Sequence, residues 1–310
     1  MVTAALHPLD GALRARLDEQ DWAAARHDVE GLPAWAQVLP TTREGEPVDL
    51  ALAADAEVDA EVRAAVTLGA SALVEVEVAA AGTERAVLAV AWTDGQACAS
   101  LVRGVDVTPG AGAQGAVLRP GVEVSAFGVD ALLDEVLRLL PDAPVLVEAA
   151  EAVVPEELTV ALAQAIRTGD RSTVDALCAA LGVPEPPPVV DAAVRGLSGT
   201  LTLSARSRGR DDVSVGTWLR CDAGWVELAR TADGMIRHTP RSRDDIARVL
   251  LSDLTGRLSA ALRAAGDGGP LDGGPVAEGP TGGAGGHGPA GAAGATGAAG
   301  AAAEREEGDA

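Results

Sequence analysis

Histidine and cysteine are the side chains most able to do chemistry in this chain, and their spacing brings none of them together. His7, His27, His238 and His287 are scattered, and Cys98, Cys178 and Cys221 lie far apart. A zinc site needs ligands in close pairs, and a disulfide framework needs an even set, so neither is expected. Each cysteine reads as a small apolar filler in a reducing compartment. The segment "GAGAQG", Gly110 to Gly115, matches a dinucleotide fingerprint by its letters. That motif works only where a strand leads through the glycines into a helix, and no such βαβ context surrounds it. It is read as a loop. No P-loop and no nucleophile elbow occurs. The acids are many but spread over helix faces, as a solvated surface requires. The expectation is a protein with no catalytic residues, no cofactor and no metal. An enzyme whose acids or arginines converge between two halves of the chain is an alternative.

The elements that would position any site follow from composition and pattern. The 310 residues are 47% hydrophobic but only 2% aromatic, and every basic residue is Arg. The core must therefore be Leu, Val and Ala with a few Trp. The net charge of −22 disfavours nucleic acid, because phosphates are repelled. The basic run "ARSRGR", Ala205 to Arg210, is followed at once by Asp211 and Asp212 and reads as a solvated hairpin. The first twenty residues carry charges where a secretory signal would be apolar, and no run approaches the ~18 apolar residues of a membrane span. The chain reads as cytoplasmic.

Leu9 to Glu30 is expected to be an amphipathic helix, and a Pro-broken connection follows to Pro47. A second helix is expected over 54–69, with Gly69 as its C-cap. "ALVEVEVA" then alternates strictly, valines one way and glutamates the other, as a half-buried strand does. "AVLAVAW" and "QACASLVR" flank Asp94-Gly95, a strong hairpin signal. A long loop, Gly104 to Gly121, leads to a strand over 122–127 and a helix ending at Pro141. Two helices follow, stopped by Gly169 and Gly182. The proline-rich "PEPPPVV" is expected to act as a stiff spacer.

The pattern then repeats. "AAVTLGASALVEVEVA" (64–79) resembles "AAVRGLSGTLTLSA" (192–205), and "LAVAWTDGQACASLVR" (88–103) resembles "VGTWLRCDAGWVELAR" (215–230). Each half adds a further strand and an amphipathic helix. Such self-similarity predicts an internal duplication. The expected fold is α+β: two strand-strand-strand-helix units related by a pseudo-twofold axis, with edge strands paired into one antiparallel sheet and the terminal helices on one face. Trp92 and Trp218 are expected to be equivalent packing residues. Trp225 has no equivalent, and reads as core or as a surface contact.

After Arg263 the chain is Gly, Ala and Pro with a few acids, and it is expected to be a disordered tail. Its glycines fall at every third position from Gly279 to Gly300, a collagen-like register in a run poor in Pro. The expected organisation is an N-terminal helix and connection (1–50), a duplicated domain (51–262) and the tail (263–310). The duplicated domain divides into unit one (51–141), a helical connector (142–190) and unit two (191–262).

The segments "AVLAVAWTDGQACASLVR", "LLDEVLRLLP" and "VGTWLRCDAGWVELARTADGMIRHTPRSRDDIARVL" resemble the EspG-like family, cytosolic chaperones of type VII (ESX) secretion. The likeness runs over roughly 51–258. It implies a non-enzymatic chaperone that binds helical secretion substrates, PE/PPE-like or related, and keeps them soluble. It implies a partner surface but fixes no contact residue. Val107, Pro109 and Gln114 of the long loop, with Trp225, are the candidates. Its high negative charge would keep such a complex soluble. A self-associating, homodimeric interaction module is the alternative reading.

Overall fold

A computed structural model describes residues 6–9, 11–39, 45–110, 115–143, 149–222 and 224–266. Gln114 and the tail from 267 lie outside the described residues.

The chain begins with strands β1 (His7–Leu9) and β2 (Ala12–Leu17), then helices α1 (Glu19–Ala25), α2 (Ala34–Gln37), α3 (Leu50–Ala54) and α4 (Ala60–Thr67). A meander follows: β3 (Val74–Gly82), β4 (Arg85–Thr93), β5 (Ala97–Val107), the short β6 (Ala116–Leu118) and β7 (Val122–Gly128), closed by α5 (Leu132–Leu137). The second half repeats the plan. It has β8 (Ala152–Pro155), helices α6 (Glu156–Thr168), α7 (Arg171–Leu181) and α8 (Pro188–Arg195), strands β9 (Gly199–Ser207), β10 (Val213–Cys221), β11 (Gly224–Arg230) and β12 (Met235–Arg241), and α9 (Arg243–Gly266).

All strands join one sheet in the order β1-β2-β7-β5-β4-β3-β9-β10-β11-β12-β8, with β6 beside β5. The halves meet where β3 pairs antiparallel with β9, from Val74 opposite Ser207 to Gly82 opposite Gly199. The middle of that ladder, Val78 opposite Leu203, marks the pseudo-twofold axis. The expected α+β fold with a continuous antiparallel sheet is therefore present. Only the short β1 and β8 lie at the ends of the sheet, which leaves little edge for other chains to pair with.

Period-two alternation sets the two faces. On one, Val74, Val76 and Val78 of β3 meet Leu201, Leu203 and Ala205 of β9, and Ala89 and Ala91 of β4. Ile246, Leu250 and Leu254 recur every four residues along α9, so they form one stripe and seal this face together with Leu132 and Val136 of α5. Burying each such side chain contributes roughly 1.5–3 kcal/mol. On the opposite face, α1–α4 pack over Val90, Trp92, Leu101 and Val124, and α6–α8 pack over Val154, Cys221 and Val226. The helices α6 and α7 end where Gly169 and Gly182 take φ of 72°, a left-handed turn that favours glycine.

Five expectations need correction. The helix expected over 9–30 is helical only at 19–25, because β2 is drawn into the sheet by β7, Leu13 opposite Ala126 through Leu17 opposite Val122. The N-terminal segment is thus part of the first unit, matched by β8 beside β12 in the second. The helix expected over 54–69 runs only through 60–67, and Gly69 lies in a following 3-10 turn. A Cβ there would sit 2.9 Å from the Trp92 ring, so glycine permits that close approach. The segment expected to be a long loop is partly strand, since Val105, Asp106 and Val107 pair with Leu118, Val117 and Ala116. Pro188 starts α8, because its fixed φ suits a first helical turn. Trp92 and Trp218 are not equivalent. Trp92 stands opposite Glu75, whereas Trp218 stands opposite Leu201, so they occupy opposite faces of the sheet. Both are buried packing residues, but in different clusters.

A candidate partner-binding face

Among the described residues the two outer helical clusters are separate. Between them the face that carries Glu75, Glu77 and Ala79 of β3, Leu88 of β4, and Thr202 and Ser204 of β9 is covered by no helix among the described residues. Val213 and Val215 of β10 continue it, cross-strand from Arg206 and Ser204, and are 54% and 59% exposed. The reverse side of the same strands is sealed by α9. The trough is therefore a polar and apolar stripe three strands wide at Glu77 and four at Leu88, on the pseudo-twofold axis.

Its electrostatics are uneven. The Glu75 carboxylate accepts from Trp92 Nε1 at 3.1 Å and pairs with Arg206 at 2.5 Å. Burial raises its pKa above the ordinary carboxylate value, Arg206 and Trp92 oppose that rise, and the neighbouring Glu77 adds to it. The carboxylate of Glu77, a half-buried residue, has no ion pair and no hydrogen bond among the described residues.

The sequence candidates fall elsewhere. Val107 is half-buried and paired with Ala116, and Pro109 is exposed in the adjoining turn. Val107 is the last residue of β5 and Pro109 lies just past it, so neither lines the trough. Of the two readings of Trp225, core or surface contact, the structure shows the core one. Trp225 is 1% exposed and packs in the α9-covered cluster, so no partner reaches it in this conformation. The signal for Glu75 and Glu77 was present in "VEVEV", but a glutamate opposite buried valines reads as ordinary solvent-facing surface. Only the pairing of β3 with β9 puts them at the floor of an uncovered trough.

Two arginines of the basic run have partners close by. Arg208 of the basic run donates to the Ala70 carbonyl at 2.9 Å, and Arg210 to Asp212 at 2.7 Å. Burial pushes the Cys98 thiol up to about 11, so it stays protonated. Burial also depresses the His238 imidazole, against backbone contacts that raise it less. A groove of about 680 Å³ beside α9 contains Arg257, which is held by Asp253 at 3.1 Å and by the Asp212 carbonyl. Among the described residues no group of three or more His, Cys, Asp or Glu is placed to hold a metal. No described helix is long and apolar enough to cross a membrane.

The sequence matches no family model and no curated protein. Among solved structures the fold is similar to the Mycobacterium tuberculosis type VII secretion system chaperone EspG5, solved in complex with a PE25-PPE41 dimer. The superposition has a TM-score of 0.51 at 14% identity and covers 76% of this chain and 93% of that one. A likeness at this identity establishes a shared fold.

Proposed function

We propose that this protein is a non-catalytic chaperone of the EspG-like kind, which holds helical type VII secretion substrates, PE/PPE-like or related, in the cytosol until export. The observation that carries the reading is the uncovered trough on a fold that extends over nearly the whole of a secretion chaperone solved in complex with a PE25-PPE41 dimer. A sheet face bounded by two helical clusters offers apolar area to a helix and polar groups to orient it. The strong negative charge suits a protein that must keep an apolar client dispersed.

The test is affinity capture from the native cytosol, with the chain after Arg263 present and deleted, followed by mass spectrometry. Small helical secretion substrates should co-purify with both forms. Return of the bait alone, as monomer or dimer, would overturn the reading and favour a self-associating module.

A further inference from the structure

We infer that Glu77 is the specificity-determining residue of the trough, and that the trough accepts a single partner helix presenting one Lys or Arg among apolar side chains. This deepens the proposed function and rests on its premise that a helical protein binds this face.

Three observations converge. The first is width. At the level of Glu77 the floor spans β3, β9 and β10, two strand spacings or about 10 Å, because Val90 of β4 is buried under the first helical cluster; it widens to β4 at Leu88. An α-helix with its side chains is about 10–12 Å across, so the trough takes one helix and not two side by side. The second is the lining. Leu88 and Ala79 lie on one side of the axis and the exposed Val213 and Val215 on the other, so the helix would meet apolar surface along both flanks. The third is charge. Glu75 on the same strand is already matched by Arg206 and Trp92, whereas the carboxylate of Glu77 is matched by nothing among the described residues.

An apolar helix laid over the floor would strip water from Glu77 and leave a buried carboxylate without a partner. That costs far more than the apolar contacts nearby return. A cation on the helix removes the penalty and adds a charge-assisted hydrogen bond. Glu77 thus discriminates by rejecting wholly apolar or acidic helices as much as by attracting a basic one. Hydrogen bonds to charged groups contribute about 1.5–3 kcal/mol, equivalent to roughly ten- to hundredfold in affinity.

The probes are three fluorescent amphipathic Leu/Ala helical peptides, identical but for one central position of the apolar face: Lys, norleucine or Glu. Each is titrated by anisotropy against the full chain, against Glu77→Gln and against Thr202→Trp, which fills the floor beside Glu77. Melting curves verify that both variants fold. The Lys peptide should bind the native chain at least about tenfold tighter than the norleucine peptide, with the Glu peptide weakest. Glu77→Gln should erase that order, and Thr202→Trp should weaken all three. Equal binding of the Lys and norleucine peptides, a Lys preference that survives Glu77→Gln, or failure of every peptide to bind would overturn the inference. It fails separately from the chaperone reading. Substrates captured equally by the native chain and by Glu77→Gln leave the chaperone standing without this determinant. A Lys-selective trough with no substrate captured leaves the determinant without the chaperone.

Discussion

The two outer helical clusters sit at symmetric places on one face of the sheet, yet they are fastened differently. In the first half a buried salt bridge ties α1 to β5: Arg103 Nη2 lies 2.5 Å from Glu19 Oε1, and both side chains are fully buried. Arg103 also donates to the carbonyls of Val38 and Arg119, and Glu19 accepts from the Gly121 amide. On the other face Arg14 of β2 forms a bidentate pair with Glu135 of α5, supported by Ser125 and Arg138. In the second half the cluster of Leu162, Ile166, Val189, Val190 and Val226 is apolar, and its buried polar neighbour is the neutral His238. The duplicated order of strands has therefore not required duplicated contacts. Alternation and hairpins fix the topology, and each half has found its own way to seat its helices.

Substitutions can break that contrast. The largest loss should follow Arg103→Ala, which strands the Glu19 carboxylate in the core. Removing one partner of a buried pair costs about 3–5 kcal/mol, read as a lower midpoint in urea unfolding. A loss below about 1 kcal/mol would mean the pair does not anchor the first half.

The glycines beneath the two tryptophans should separate the halves next. A Cβ on Gly216 would lie 2.1 Å from the ring of Trp218, which α9 confines, while a Cβ on Gly69 would lie 2.9 Å from the ring of Trp92. Gly216→Ala is expected to cost about 1–3 kcal/mol by overpacking. Gly69→Ala should cost less, because alanine suits a helical turn better than glycine by up to ~1 kcal/mol. Equal melting temperatures for the two variants would contradict the assignment of the two rings to different environments.

Acid should then distinguish the halves by window. His238 is held below its ordinary 6.5 chiefly by burial, so the folded chain takes up fewer protons there than the unfolded chain. Its contribution is complete above pH 6.5 and fades as pH falls from there through the depressed folded value. For Glu135 burial acts upward, but the hydrogen bonds from Arg14 and Arg138 outweigh it and lower the pKa from 4.5. Its contribution is complete above pH 4.5 and fades as pH falls through the lower folded value. His238→Gln should therefore flatten the stability profile just below 6.5, whereas Glu135→Gln should alter it only below about 4.5. The smallest effect belongs to the exposed Arg195–Asp191 pair on α8, where Arg195→Ala should change stability by less than about 0.5 kcal/mol.

Much of the fold was legible in the sequence because β3 to β5 and β9 to β11 alternate cleanly around turn residues. Asp94-Gly95 and Asp222 mark hairpins where the strands do turn. What stayed hidden were elements whose partners are remote. β2 holds Arg14 and Arg16 among its apolar residues and looks helical until β7 claims it, and Arg14 tolerates burial only because Glu135 arrives from 121 residues away. The mismatch of the tryptophans escaped for a related reason. One residue of register moves a side chain to the other face, and similar letters in two segments do not carry register. The candidate site was the least legible part. Its floor is assembled from both halves, and what defines it is the gap between two helical clusters, which no local pattern records.

The central claim is that a helical partner lies in that gap. The most direct measurement is site-specific photo-crosslinking in the native cytosol, with a photoreactive residue at Thr202 in the trough and, as control, at Gln164 on α6. The account predicts that helical secretion substrates crosslink from position 202 and not from 164, and that Glu77→Lys abolishes the product. Substrates crosslinking from 164 alone, or from neither position, would contradict it.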